Sequence, residues 1–180
     1  MTTWIALFRG INVGGNQVLL MKDLAALFER ARFESVRTYI QSGNVVFQSS
    51  KGTSSSLARR IGGLVLKSHG FQPKVIVLNV MELEKAAAEN PFSKAEADPK
   101  ALHLCFLSES PRTPDLESLN QLRTGREAYA LKGKVFYLYT PDGYGVSKLA
   151  ARAERFIGVD VTARNWRTVN KLLAMTRGSV

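Results

Sequence analysis

What is scarce in this chain narrows its chemistry before any motif is considered. It holds one cysteine, Cys105, so no intramolecular disulfide can form, which fits a reducing compartment. It holds two histidines, His69 and His103. His103 and Cys105 stand two apart on a predicted strand and would share a face, but two ligands do not make a zinc site. Both are read as packed core positions, and no metal or other cofactor is expected. No apolar run approaches the roughly 20 residues of a membrane span, so no membrane partner is expected. Met1–Gly10 lacks the basic start, apolar stretch and small-residue cleavage site of a secretory signal. Together these absences predict a cytoplasmic protein.

Catalytic arrangements are scarce as well. Glu82, Glu84 and Glu89 read as an exposed helical face, not as paired carboxylates for glycoside chemistry. Ser42 falls in a turn at the end of the sheet where His69 is expected, so a nucleophile and base could meet there. No nucleophile-elbow sequence surrounds it, and a turn is the ordinary setting of a serine.

Charge, in contrast, is abundant and of one sign. The 25 lysines and arginines exceed the 15 acidic residues by 10, and 45% of the chain is hydrophobic, enough for a packed core. The excess is spread along the chain: 11 basic and 6 acidic residues lie up to Asn90, 14 and 9 beyond it. Such a surface attracts polyanions, nucleic acid above all, although the same charge can simply be solvated.

Periodicity orders the elements. Thr3–Phe8 is a short apolar run of strand length, and the glycine- and asparagine-rich stretch Gly10–Asn16 is a loop. Met21–Ala31 repeats apolar residues at helical spacing. Val36–Ile40 and Val45–Phe47 flank a tight turn at Ser42-Gly43-Asn44. The polar stretch 51–56 offers a serine cap for a helix over Leu57–His69, which Gly70 stops before the strand Val75–Leu78. The order βαββαβ, with right-handed crossovers, predicts a ferredoxin-like sheet under two helices. The second half repeats the order more weakly. Leu102–Leu107 is a strand, Asp115–Leu122 a helix, and Ala128–Leu131 with Val135–Tyr139 a hairpin. Ser147–Phe156 is a helix, Val159–Thr162 a strand, and Trp166–Met175 a further helix. The fold class is α+β: two ferredoxin-like (α–β plait) lobes, at 1–80 and 81–180, plus an extra C-terminal helix.

This topology implies where a ligand would bind. The loop after the first strand, the Gln41–Asn44 turn and the His69–Gln72 connection all fall at one end of the sheet, with Arg9 close to Asn44. Glycine backbone can approach a ligand closely, Arg9 supplies a planar cationic fork, and Asn12, Asn16 and Asn44 supply amide donors. The stretch lacks the lysine and hydroxyl of a P-loop. Its glycines also serve turn geometry, and its asparagines can cap a helix or tolerate left-handed backbone. A second candidate is Thr162–Lys171. Trp166, Val169, Leu172 and Leu173 form the buried stripe of the last helix there. Arg164, Arg167, Thr168 and Lys171 are expected on its other faces, and Thr162 or Asn165 at its N-cap. Trp4 and Phe8 share one sheet face. An aromatic platform of the RNA-recognition type would need them on the open face, and a core position fits them better.

F-R-G-I-N-V-G-G-N (Phe8–Asn16), R-T-Y-I-Q-S-G-N-V-V-F (Arg37–Phe47) and T-A-R-N-W-R-T-V-N-K-L (Thr162–Leu172) closely resemble a bacterial family known as domain of unknown function 1697. The resemblance runs over essentially the whole chain and implies two ferredoxin-like lobes. It implies no activity, because the family has none established. Its signature falls here on Arg9, Gly10, Asn12, Gly14, Gly15, Gln41, Ser42, Gly43, Asn44, Arg164, Asn165, Trp166 and Lys171. Ala163 stands where many relatives are expected to have a second threonine, which weakens any role for a hydroxyl there.

Three functions remain open. One is a binding protein for an anionic ligand, nucleic acid or nucleotide, at Arg9, Asn12, Gly14, Gly15, Asn16, Ser42, Asn44, Arg164, Asn165 and Lys171. Another is an enzyme acting on a small phosphorylated or carboxylated metabolite. The third is an interaction protein whose motifs serve lobe packing.

Overall fold

The first strand, β1 (Thr2–Arg9), is buried from Trp4 to Phe8 on both of its faces, which is why it reads as a continuous apolar run without alternation. In the computed structural model, which describes residues 1–178, it is followed by α1 (Met21–Arg30), β2 (Glu34–Tyr39), β3 (Asn44–Ser49), α2 (Ser54–His69), β4 (Lys74–Asn79) and α3 (Val80–Ala88). After a short 3-10 turn at Ser93–Ala97 come β5 (Leu102–Leu107), α4 (Leu116–Leu122), β6 (Ala128–Lys132) and β7 (Val135–Tyr139). The chain ends in α5 (Lys148–Ile157), β8 (Val161–Asn165) and α6 (Trp166–Thr176). Two compact units result: Met1–Glu84 together with Leu172–Val180, and Lys85–Lys171.

Each unit holds one four-stranded antiparallel sheet. The strand orders, β2-β3-β1-β4 and β6-β7-β5-β8, are the same order repeated. This is the ferredoxin-like arrangement that the strand and helix order predicts. Leu7 lies opposite Asn44 and Arg9 opposite Lys74, so the loop after β1, the turn before β3 and the connection into β4 share one end of the first sheet.

In the first unit α1 and α2 cover the face that carries Trp4, Ala6, Phe8, Val45, Phe47 and Val77. Trp4 and Phe8 are thus core residues. Phe28, Phe33 and Phe47 pack with centroids 4.8–5.3 Å apart, and the Arg60 guanidinium lies 4.5 Å from the Phe33 ring. The cap of α2 is Thr53, not a serine: its side chain accepts from the Ser56 N–H while Ser56 Oγ accepts from the Thr53 N–H. Gly70, left-handed at φ 77, ends the helix.

Two boundaries differ from expectation. The helical face read at Glu82, Glu84 and Glu89 falls on α3, which starts at Val80 and ends at Ala88, before Glu89, and its first turn is closed reciprocally. The Glu82 N–H donates to Asn79 Oδ1 at 2.9 Å, and the Asn79 N–H donates to Glu82 Oε2 at 2.8 Å. The last strand runs over Val161–Asn165 instead of Val159–Thr162. Gly158, left-handed at φ 82, ends α5, and the turn it starts uses the residues before Val161. Arg164 and Asn165 consequently lie on a strand, opposite Leu104 and His103. The expectation that Arg164 sits on the last helix is corrected by this shift. Thr168, expected on an outer face of α6, is buried.

Among the described residues no helix is long and apolar enough to cross a membrane.

Candidate functional site

The sheet end expected to carry a site is built by two segments that interlock. Asn12 adopts left-handed backbone, φ 58, and its amide is shared among three backbone groups. Nδ2 donates to the carbonyls of Leu19 at 2.9 Å and Gln41 at 2.8 Å, and Oδ1 accepts from the Leu19 N–H at 2.8 Å. One side chain thus closes the Gly10–Leu19 loop and ties it to the turn before β3. The turn is fixed from its other side as well, because the Phe8 N–H donates to the Gly43 carbonyl at 2.8 Å. Asn44, fully buried, donates from Nδ2 to the Tyr39 carbonyl at 3.0 Å and to Ser42 Oγ at 3.2 Å.

Gly43 is required here by space. It has φ +76, and a Cβ on it would fall 2.5 Å from Ile11 Cδ1 and 2.6 Å from Phe8 Cβ. Gly14 and Gly15 are required for another reason. With φ 61 and 75 they are the central pair of a two-residue turn closed by the Asn16 N–H on the Val13 carbonyl at 3.1 Å. Nothing crowds them, and the turn projects outward. Exposed Val13, Val18 and Ile40 lie on the segments around it. Arg9 ends β1 opposite Lys74, and Lys22 is exposed in the first turn of α1.

Of the residues proposed from sequence, Arg9, Asn12, Gly14, Gly15, Asn16, Ser42 and Asn44 belong to this end of the first unit. Arg164, Asn165 and Lys171 belong to the second unit. Arg164 is 7% exposed, and its Nη1 donates to Thr162 Oγ1 at 2.9 Å and to the Ala163 carbonyl at 2.8 Å. Burial pulls its pKa down to about 10, with Tyr144 acting in the opposite sense, so the group is charged at neutral pH. Asn165 Oδ1 accepts from the Thr168 N–H at 2.9 Å and caps α6. The Ser42–His69 pairing conceivable from sequence is not formed. His69 Nδ1 contacts Ser68 Oγ at 2.7 Å, and Ser42 accepts from Asn44.

Sequence reasoning missed the setting of His103. Its ring stacks against Tyr144 with centroids 4.2 Å apart, and its Nδ1 is buried without a hydrogen-bond partner. Burial lowers its pKa to about 4, against an upward push from the Ala101 carbonyl. A base that weak is poorly matched to proton transfer at neutral pH. Burial also raises the Cys105 thiol to about 12, which leaves it an inert core sulfur. Among the described residues no group of three or more His, Cys, Asp and Glu could hold a metal ion.

Two outcomes follow from these environments. Gly43→Ala meets both left-handed strain and a steric collision, and should lose about 3 kcal/mol. Gly14→Ala meets only the strain, about 1 kcal/mol. Urea unfolding of both variants checks this, and equal losses would contradict the crowding at Gly43. His103 gives a pH signature. Its folded pKa lies below the unfolded value, so the unfolded state binds the proton first as pH falls. The stability it contributes is complete above about 6.5, is lost as pH drops toward about 4, and amounts to roughly 3 kcal/mol. His103→Phe keeps the stack and removes the titration. The stability difference between wild type and variant should slope across that window and be flat above it. A flat difference throughout would show His103 to be unperturbed.

Comparison with known proteins places this geometry in a family. The solved structure of the conserved bacterial protein SP0830 from Streptococcus pneumoniae matches with a TM-score of 0.74 at 21% identity, covering 97% of this chain and 98% of that one. At that identity the likeness is one of fold. Curated proteins give no match. The family model described as protein of unknown function (DUF1697) matches residues 1–137, which include both interlocked segments, and the chain belongs to that family.

Proposed function

We propose that the protein binds an anionic ligand of the nucleic-acid class at the interlocked edge of its first unit. The observation that carries this is where backbone strain is held. Asn12 (φ 58), Gln17 (φ 48) and Ile40 (φ 49) are non-glycine residues in the left-handed region, and all three stand at this edge. A β-branched residue such as Ile40 is strongly disfavoured there, and each such residue costs on the order of 1–2 kcal/mol. The fold does not require this. The second unit has the same strand order, and among the described residues its left-handed positions, Gly133, Gly143 and Gly158, are all glycine. Strain that architecture does not demand tends to sit at ligand clamps and recognition loops.

The chemistry of the edge suits a polyanion with flat or apolar faces. Lys22, Arg9 and Lys74 border it, and the chain's net charge of +10 would steer such a ligand toward it. Val13, Val18 and Ile40 offer apolar surface, 65%, 57% and 49% exposed. The N–H groups of Gly14 and Gly15 have no partner among the described residues, which leaves them as donors at the tip.

A second reading is favoured by the amides. Asn12 and Asn44 are spent on backbone carbonyls, which is what motifs serving architecture alone would do.

Fluorescence anisotropy of a labelled single-stranded RNA separates the two. Wild type should bind at an ionic strength of about 0.15 M. The Lys22→Ala/Lys74→Ala pair should weaken binding about fivefold to tenfold and flatten the salt slope by about 0.7 for each phosphate no longer neutralised. Val13→Ser should weaken binding with the slope unchanged. Loss of all binding at that ionic strength, or indifference to both variants, would leave the architectural reading standing.

A further inference from the structure

A different strained segment lies at the far end of the same sheet. Glu34 stands opposite Gln48, whereas Arg37 stands opposite Val46, so Ser35 and Val36 together oppose Phe47. This is a one-residue bulge, with Ser35 left-handed at φ 50. Strict alternation from Glu34 would turn Arg37 toward the helices. The bulge turns it instead to the other face, in the row of Val46 and Ile5.

On that face a cleft of about 560 Å³ opens, lined by Thr3, Ser35, Arg37, Gln48, Thr176 and Arg177 over a floor of Val46. Both guanidinium groups are anchored by one contact. Arg37 Nη2 donates to the Met175 carbonyl, and Arg177 Nη2 pairs with Glu84 at 3.2 Å. A guanidinium carries five N–H donors, so each retains donors beyond its anchor. Ser35 Oγ donates to Gln48 Oε1 at 3.2 Å, which leaves the Gln48 Nε2 hydrogens without a partner among the described residues. The volume falls within the roughly 300–1,000 Å³ of small-molecule sites and far exceeds a bare ion.

We propose that this cleft binds a small phosphorylated, hydroxylated molecule of the sugar-phosphate class. Arg37 and Arg177 hold the phosphate, for which two planar forks are the fitting donors. Gln48 and Thr3 meet the hydroxyls of the body, and Val46 supports it from beneath. The exposed Glu34, on the same face beside Gln48, keeps the phosphate at the arginine side by repulsion. The site uses the opposite end of the strands from the interlocked edge, and it stands whether or not that edge binds a polyanion.

The test is a series of ¹H–¹⁵N correlation spectra of the full chain, titrated with ribose 5-phosphate, with ribose and with inorganic phosphate. Ribose 5-phosphate should give saturable shifts at the amides of Ser35, Arg37, Gln48 and Arg177. Inorganic phosphate should give weaker shifts at the same amides, and ribose none. Arg177→Gln, at an exposed position, and Arg37→Lys, which keeps the charge but loses the fork, should each weaken binding at least about tenfold. Spectra otherwise unchanged would show that the variants fold. The proposal is overturned if no saturable shift occurs at these amides, if shifts confine themselves to residues 10–17 and 40–44, or if Arg177→Gln binds as wild type does.

Discussion

The first unit depends on one close approach, the backbone of Gly43 pressed against Phe8 and Ile11. The Phe8 N–H to Gly43 carbonyl bond, 2.8 Å long, continues the β1–β3 pairing into the turn, and a methyl group at Gly43 would collide with both neighbours. Because β1 and β3 are the central strands, their register decides which residues face the helices. Trp4, Ala6 and Phe8 go to the helical core with Val45 and Phe47, and Ile5, Leu7 and Val46 go to the other face. Asn12 then builds on this contact. It can reach the Gln41 carbonyl only because the turn is held against β1, and it fixes the loop by spending three hydrogen bonds of about 1 kcal/mol each. Packing at one glycine therefore sets the geometry of everything displayed at that end.

The second unit repeats the sheet but distributes polarity differently. Arg164 and Thr162 lie opposite Leu104 and Phe106, within the strand rows that also carry the fully buried Tyr137. The Tyr137 hydroxyl is satisfied by the Ala86 carbonyl at 2.8 Å, and Arg164 has Thr162 and Ala163. Buried polar groups with partners cost little, and they specify one arrangement over others. His103 is the exception, with a ring nitrogen left unpaired. Its burial is tolerable at neutral pH because the imidazole is uncharged there.

Much of the fold is legible in the sequence because it rests on periodicity. The continuous apolar run at Trp4–Phe8 and the run Leu102–Leu107, broken only by His103, mark the central strands, and the spacing of Leu57, Ile61 and Val65 marks α2. The convergence of the Arg9 loop and the Gln41–Asn44 turn follows from topology alone. What stays hidden depends on local hydrogen bonds or on backbone that carries no glycine. Asn79-Val-Met-Glu82 is a reciprocal cap visible in the sequence, but it sits directly on the end of a strand, so the start of α3 is hidden even though its glutamates read as a helical face. Arg164 reads as part of the last helix because the turn after Gly158 displaces β8 toward the C-terminus. The bulge in β2 announces itself through no residue type, since Ser35 is an ordinary strand or loop residue, and so the facing of Arg37 is not readable beforehand.

The contrast between the units bears on function in a way neither does alone. Among the described residues the non-glycine left-handed positions are Asn12, Gln17, Arg32, Ser35 and Ile40, and all of them lie in the first unit. If the ferredoxin-like topology itself demanded such backbone, the second unit would carry it at corresponding turns. It reaches the same strand order with left-handed backbone at glycines alone, at no steric cost. The strain in the first unit is therefore an addition to the fold, held in place by Asn12, Gly43 and the pairing of β1 with β3. It is concentrated where side chains are redirected. Ile40 and Gln17 border an outward turn, and Ser35 turns Arg37 onto the face with the cleft. A chain that duplicates a sheet and then strains only one copy has differentiated the two by backbone, and both proposed binding surfaces draw on the strained copy.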